Sequence, residues 1–241
     1  VGRLTQPRLD FAVKVVGARV HDIEQAMARL WWRMTVAHDL RDHELQAAWR
    51  QVQQQWGRTL GPRSRQTATA ADAMQPVPGS IAASASRVEL VLRDNLLHRR
   101  RIERAYLKAI GAARGEVIIA NAYFLPGARL RKALIHACGR GVRVRLLLQG
   151  RYEYFLQFYA SRPVYGALLA AGVEIHEYEA SFLHAKVAVI DERWATVGSS
   201  NLDPLSLLLA REANIVVRDR DFAAGLRRRL VFKPTFSTLP E

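Results

Sequence analysis

The chain has 241 residues, 49% of them hydrophobic, and carries 36 Lys and Arg against 22 Asp and Glu, a formal net charge of +14. That is enough apolar material for one full α/β domain plus part of another, yet no run approaches the roughly 18 consecutive apolar residues that span a bilayer. Cys138 is the one cysteine, which excludes an intrachain disulfide and a cysteine metal cluster; on a predicted helix it reads as a small buried residue.

Taken in order, residues 11–16 alternate as a strand, and helical spacing follows through Val20, Ile23, Met27, Leu30 and Trp31. Residues 38–56 continue as a polar helix. Residues 57–85 are rich in Gly, Pro, Ser, Thr and Ala with almost no large apolar side chain, the composition of a flexible linker. Beyond it come a strand over 88–92, a helix over 99–113, a strand over 117–120, a helix over 128–138 and a strand over 142–148. A helix over 152–171, kinked by Pro163, leads to strands over 173–178, 183–190, 194–197 and 213–217 and a final helix over 222–232. The expected fold class is therefore α/β, a layered fold with a mixed, mostly parallel sheet flanked by helices on both faces. The expected domains are 1–56, the end of a first domain; 57–85, the linker; and 86–241, a complete second domain.

One stretch carries chemistry. His184, Lys186 and Asp191 form H-A-K-V-A-V-I-D, and Gly198-Ser199-Ser200-Asn201 follows at once. On a strand, side chains alternate, so His184 and Lys186 share a face with Cα atoms roughly 6–7 Å apart. Both can converge on one phosphate: the ammonium binds nonbridging oxygens, and the imidazole attacks phosphorus or moves a proton near neutral pH. Asp191 is out of phase with His184 and about 23 Å further along an extended strand, which suits a strand-end residue holding the turn into Glu192-Arg193. Glu212, heading the apolar run 213–217, is the better candidate to orient the imidazole. Ser199 and Asn201 suit a tight turn beside the phosphate, adding neutral hydrogen bonds.

These residues resemble the phospholipase D superfamily, whose HKD motif is H-x-K-x4-D followed by G-S-x-N; the match is complete. The family places a glutamate on the following strand to orient the motif histidine, and Glu212 sits where that residue is expected. The segments Asn121-Ala-Tyr-Phe-Leu-Pro126 and Leu146-Leu-Leu-Gln-Gly150, with the block 181–217, look more narrowly like bacterial cardiolipin synthases of the second, cytosol-facing type. In that family the segment with Tyr123 and Phe124 lies near the active cleft, which makes both candidate substrate contacts. The clustered aromatics of residues 151–159 could line an acyl-chain entrance or simply pack a helix.

Superfamily members use two HKD motifs at one pseudo-twofold site, and this sequence contains one. Laying residues 10–17 over 212–219 sets Asp10 on Glu212 and strand on strand, with amphipathic helices after both, at an offset of 202. The counterpart of His184, which precedes Glu212 by 28 positions, would then fall before Val1. The expectation is a C-terminal part of a tandem enzyme, with Asp10 orienting the histidine of the first motif.

The resemblance implies double displacement through a phosphohistidine, with no metal and no cofactor. His184 would be the general acid and base, while Lys186, Ser199 and Asn201 hold phosphate. The implied substrates and partners are anionic phospholipids, phosphatidylglycerol and cardiolipin, met by peripheral contact at the cytoplasmic side of a bacterial inner membrane. No nucleic acid is expected. The alternatives are a single-motif nuclease of the same superfamily acting as a homodimer, or a phospholipase D-type hydrolase. Arginine clusters at Arg99-Arg100-Arg101 with Arg104, at Arg140, Arg143 and Arg145, and at Arg218, Arg220 and Arg227-Arg228-Arg229 suit an anionic lipid surface or a nucleic-acid backbone equally. His21, His38, His43 and His98 read as exposed helical residues, and His136 and His176 have no partner at metal-ligand spacing.

Overall fold

The computed structural model describes residues 7–17, 19–41, 87–93, 99–151, 164–203, 210–230 and 236–238. Two compact units divide the chain, one made of residues 1–13 with 81–241 and the other of residues 14–80. In the smaller unit, α1 (Arg19–Arg41) starts with Asp22 in its first turn, where a carboxylate complements the helix dipole. Ala26 is buried, whereas Met27 and Trp31 are 53% and 67% exposed, so the expected apolar stripe is only partly covered. The predicted polar helix over 38–56 and the linker lie almost wholly outside the described residues.

The larger unit is built on β1 (Arg87–Arg93), α2 (Arg101–Ala112), β2 (Glu116–Asn121), α3 (Ala128–Gly139), β3 (Arg143–Gln149), β4 (Glu174–Tyr178), β5 (Lys186–Ile190), β6 (Trp194–Gly198), β7 (Glu212–Arg218), α4 (Arg220–Leu230) and β8 (Phe236–Thr238). The eight strands form one sheet in the order β1-β7-β6-β5-β2-β3-β4-β8. Only β2 with β3 and β3 with β4 run parallel; the other five pairings are antiparallel. The expectation of a mostly parallel sheet is therefore corrected. The helix-strand alternation that suggests it ends at β4, after which β5, β6 and β7 follow one another without an intervening helix among the described residues, and such consecutive strands pair antiparallel.

Helices do cover both faces. Odd-numbered β2 residues Val117 and Ile119 pack with Ile102, Tyr106 and Ile110 of α2 and Leu130 and Leu134 of α3. Even-numbered Ile118 and Ala120 pack with Ala223, Leu226 and Leu230 of α4 on the other face. This period-2 division of a continuously apolar strand is why β2 and β5 show no polar alternation. The entries into β3 and β4 share one device: Gly141 and Gly172 take φ of +82° and +85°, and the following Val142 and Val173 donate back to Ala137 and Leu168, a helix end that glycine alone adopts without strain.

Residues 11–16, expected as a strand, alternate in exposure but join no ladder among the described residues. Backbone pairing with the sheet comes earlier, through a parallel bridge between Leu9 and Leu183, while Phe11 and Val13 pack against the cluster on the α4 face. β8 is an edge strand the sequence reading missed. Its three residues pair antiparallel with β4, too short a run for periodicity to reveal.

Candidate active site

One end of the sheet gathers the motif residues. The register sets Arg93 beside Glu212, Gly198 beside Asn214 and Lys186 beside Asn121. The N-termini of β5 and β7 and the C-termini of β1, β2 and β6 therefore meet there.

His184 lies two residues before β5, and its backbone N–H donates to the Leu9 carbonyl at 2.8 Å while the Leu9 N–H donates to the Phe182 carbonyl at 2.9 Å. Leu9 and Leu183 both pack into the cluster on the α4 face. Their next neighbours, Asp10 and His184, must then both turn to the opposite face. The side chains meet: His184 Nδ1 lies 2.8 Å from Asp10 Oδ2. A carboxylate only accepts, so Nδ1 carries the proton and Nε2 is left free to act.

This corrects two expectations together. Asp10, assigned to an absent histidine, is bonded to His184. Glu212, assigned to His184, instead accepts a hydrogen bond from the Ser199 hydroxyl. The reason is topological, because β6 lies between β5 and β7 and puts Glu212 roughly two strand spacings, about 10 Å, from the β5 line.

Lys186 is 6% exposed, and its ammonium donates to the His184 carbonyl at 2.7 Å. Ser199 is fixed from several sides: its N–H donates to the Ala213 carbonyl at 3.0 Å, and its Oγ accepts from the Ala213 N–H at 3.1 Å. A Cβ at Gly198 would come within 2.4 Å of the Ala213 carbonyl and the Asn214 side chain, so the turn into Ser199 requires glycine. Asn201 has a buried Oδ1 with no hydrogen-bond partner among the described residues. Burial pushes the Glu212 carboxyl above its ordinary range, against the Ser199 hydroxyl and the charges of Arg93 and Lys186, which pull it down.

Asp191 stands at the opposite end of β5. Its carboxylate accepts the backbone N–H groups of Arg114, Gly115 and Glu116, each at 2.8 Å, and its own φ of +52° marks the turn that follows. Partial burial raises its carboxyl, but the three N–H donors outweigh that and hold it below the usual range. Phe124, expected to touch substrate, is 3% exposed, packed into the core and bridged to Leu202. A side chain so enclosed offers substrate no surface, which removes it from the candidate contacts. Tyr123 beside it is half-buried. The aromatics of 152–159 fall outside the described residues, as do His43 and His98. Among the described residues no group of three or more His, Cys, Asp or Glu is arranged to hold a metal, and no helix is long and apolar enough to cross a membrane.

Three site residues escaped the sequence reading. Arg93, 2% exposed, ends β1 with its Nε donating to the Arg99 carbonyl at 3.3 Å. Asn121, fully buried, accepts from the Leu202 N–H at 3.1 Å and ties the loop after β6 to β2. Gln149 accepts the Leu183 N–H at 2.9 Å, steadying the segment before His184. Each is a polar residue closing an apolar strand, a pattern that flags the functional end of a sheet.

The chain is 40% identical to "Cardiolipin synthase B" of Escherichia coli K12 over 234 residues, covering 93% of this chain and 47% of that protein. To the protein of the same name from Salmonella typhimurium LT2 it is 51% identical over 140 residues, 58% of this chain and 34% of that one. The chain thus spans about half the length, or less, of these relatives. Among solved structures, the phospholipase D family member Nuc from Salmonella typhimurium shares the fold, with a TM-score of 0.55 at 18% identity over 65% of this chain and 99% of that one. Residues 106–231 match the model described as cardiolipin synthase, PLD-like domain, just over half of the sequence, and the chain belongs to that family.

Proposed function

We propose that the chain supplies one half of a phosphatidyltransferase site that makes cardiolipin from phosphatidylglycerol or another phospholipid donor. The observation that carries this reading is the 2.8 Å contact of Asp10 with His184 Nδ1, which leaves Nε2 free to act. A histidine of a second motif, outside these residues, attacks phosphorus: a P–N bond forms, the P–O bond to glycerol breaks, and His184 Nε2–H protonates the departing alkoxide. In the second step the acceptor hydroxyl gives its proton back to His184 Nε2 as its oxygen bonds phosphorus and the P–N bond breaks. Lys186, Ser199 and Asn201 stabilise the charge on the five-coordinate phosphorus, the term expected to dominate phosphoryl transfer. Tyr123 completes the candidate contacts with substrate.

The Asp10–His184 pair supports a role for Glu212 as well. Asp10 and Glu212 occupy equivalent places in the two halves, and Asp10 serves the histidine of the other half. By the same symmetry Glu212 serves the histidine of the first motif, and its hydrogen bond to Ser199 holds it ready. Asp191 keeps the far end of β5 in register and takes no part in chemistry. The enzyme works as a peripheral protein at the cytoplasmic face of the inner membrane.

The test uses the full-length polypeptide with phosphatidylglycerol vesicles and lipid mass spectrometry. Replacing a general acid and base typically costs about 10²–10⁴-fold, so His184→Ala is expected to bring cardiolipin formation to background. Retained transfer removes His184 from the mechanism. Plasmid cleavage without lipid transfer by the unaltered protein favours the nuclease reading, and release of phosphatidic acid alone favours a hydrolase.

A further inference from the structure

The three arginine clusters, indistinguishable in the sequence, differ in where the fold puts them and in what they touch. The second, and Arg218 and Arg227 of the third, are engaged at the sheet end remote from His184. Arg143 pairs with Glu174 at 2.6 Å, Arg145 pairs with Glu116, and Arg227 bridges Glu116 at 2.6 Å and Glu192 at 3.2 Å. Arg218 pairs with Glu89 at 3.1 Å, and Arg140 donates to the Ile110 carbonyl at 2.9 Å. Arg220, Arg228 and Arg229 of the third cluster are exposed and, like the first cluster, make no side-chain hydrogen bond or ion pair among the described residues, so what sets them apart is their place in the fold.

The first cluster is arranged differently. β1 ends at Arg93 beside Glu212, and the Arg93 Nε contact with the Arg99 carbonyl fixes the start of α2 at the site end. Arg99, Arg100, Arg101 and Arg104 are exposed there, and none of their side chains has a hydrogen bond or ion pair among the described residues. Two more exposed arginines share this rim: Arg211, next to Glu212, and Arg129, in the first turn of α3 after β2. Four cations around the start of α2 oppose the helix dipole, with Glu103 the only acid in its first turn, so the grouping costs the fold something in the absence of an external anion.

We infer that this rim, Arg99, Arg100, Arg101 and Arg104 with Arg129 and Arg211, is the face that docks on an anionic phospholipid bilayer, while the arginines of α4 do not. The inference rests on the proposed lipid reaction in one respect: a site that takes phosphatidyl groups from a bilayer must open toward it. Position supplies the rest: the rim arginines, unpaired among the described residues, stand at the site end where anionic headgroups would match them, whereas α4 starts just after Arg218, at the opposite end of β7, and its Arg227 pairs with Glu116 and Glu192 at that end.

The test compares two full-length variants of equal charge change, Arg99→Gln/Arg100→Gln/Arg101→Gln and Arg220→Gln/Arg228→Gln/Arg229→Gln. Binding is measured by cosedimentation with vesicles of phosphatidylglycerol and phosphatidylcholine, with pure phosphatidylcholine as the baseline. Each basic residue near an anionic surface is worth about fivefold in partitioning, so the first variant is expected to lose on the order of 100-fold and the second less than about fivefold. A third variant with lysine at positions 99, 100 and 101 should bind within a few-fold of the unaltered protein, showing that charge rather than folding is at stake. Equal losses in the two glutamine variants, or no loss in the first, overturn the assignment. So does a first variant that keeps vesicle binding and loses plasmid DNA binding in a gel-shift assay. Binding is read without turnover, so failure of the proposed reaction would show in the lipid products and not here.

Discussion

Asp10→Asn isolates the contact on which the reading of His184 depends. His184 is cationic before it protonates the leaving alkoxide and again once it has taken the acceptor's proton, and the carboxylate 2.8 Å away stabilises that charge. Coulomb's law at this separation gives ~1.5 kcal/mol at the dielectric of water and ~6 kcal/mol at an effective value of 20. With side chains 44% and 54% exposed, solvent screening pulls the figure toward the lower limit, and ~2–3 kcal/mol is a reasonable middle. That converts to about 30–150-fold in rate. Asparagine preserves size and can still contact Nδ1, but its amide donor also favours the tautomer with the proton on Nε2, adding to the loss. The expected result is a kcat lower by about 100-fold, KM changed by less than about threefold, and an unchanged melting temperature. The assay is cardiolipin formation from phosphatidylglycerol vesicles by the full-length enzyme, followed by lipid mass spectrometry. A kcat within threefold of the unaltered enzyme would refute the assignment of Asp10, and an equal fall in stability would reduce it to a packing role.

Two further variants separate structural from functional carboxylates. Asp191→Asn exchanges a charged acceptor of three backbone N–H groups for an amide, and is expected to cost about 1–3 kcal/mol after allowance for exposure. The Asp191 carboxyl is held below its ordinary range, so its contribution is present above the unfolded value near pH 3.9 and is lost as pH falls through the folded one. The gap between unaltered and variant melting temperatures should therefore be full at neutral pH and narrow in acid; a constant gap would contradict the linkage. Glu212→Gln should do the reverse of Asp191→Asn. Burial raises the Glu212 carboxyl, so its unfavourable ionisation weakens the fold as pH rises through the raised value, and the neutral variant should melt no lower at pH 7 while losing transfer activity. Such a pairing of activity lost with stability kept is expected where a site stores strain for function, and a lower melting temperature with activity retained would make Glu212 structural.

Much of the larger unit was legible because its strands are buried on both faces and its helices are short and amphipathic. The limits of β2, β3, α3 and β6 follow from apolar runs and from the glycines that end the helices. His184 and Lys186 were placed by strand phase alone, and the alternation of Leu183, Ala185 and Val187 into one cluster leaves them together on the other face. What periodicity does not carry is strand order. The mostly parallel expectation failed because three consecutive strands, β5, β6 and β7, look the same in sequence whether they form a meander or cross over. Phe124 was misread for a related reason: a residue after a strand end can turn to solvent or to the core, and the bridge to Leu202 decides it.

The most instructive error concerns the carboxylates. Aligning residues 10–17 with 212–219 sets Asp10 over Glu212, and the expectation drawn from it has each acid serve the histidine of its own repeat. Leu9 pairs with residues 182–184 across more than 170 positions of sequence, and that one bridge turns Asp10 onto His184 instead. A long-range pairing of a few residues has no local signature, so no periodicity could have announced it. Its consequence reaches further than one hydrogen bond. If each histidine is oriented by the acid of the other repeat, neither half can set its own tautomer, and the site assembles only when both halves are in register. The two acids then do more than tune two bases: they make phosphoryl transfer conditional on the pseudo-twofold interface being formed.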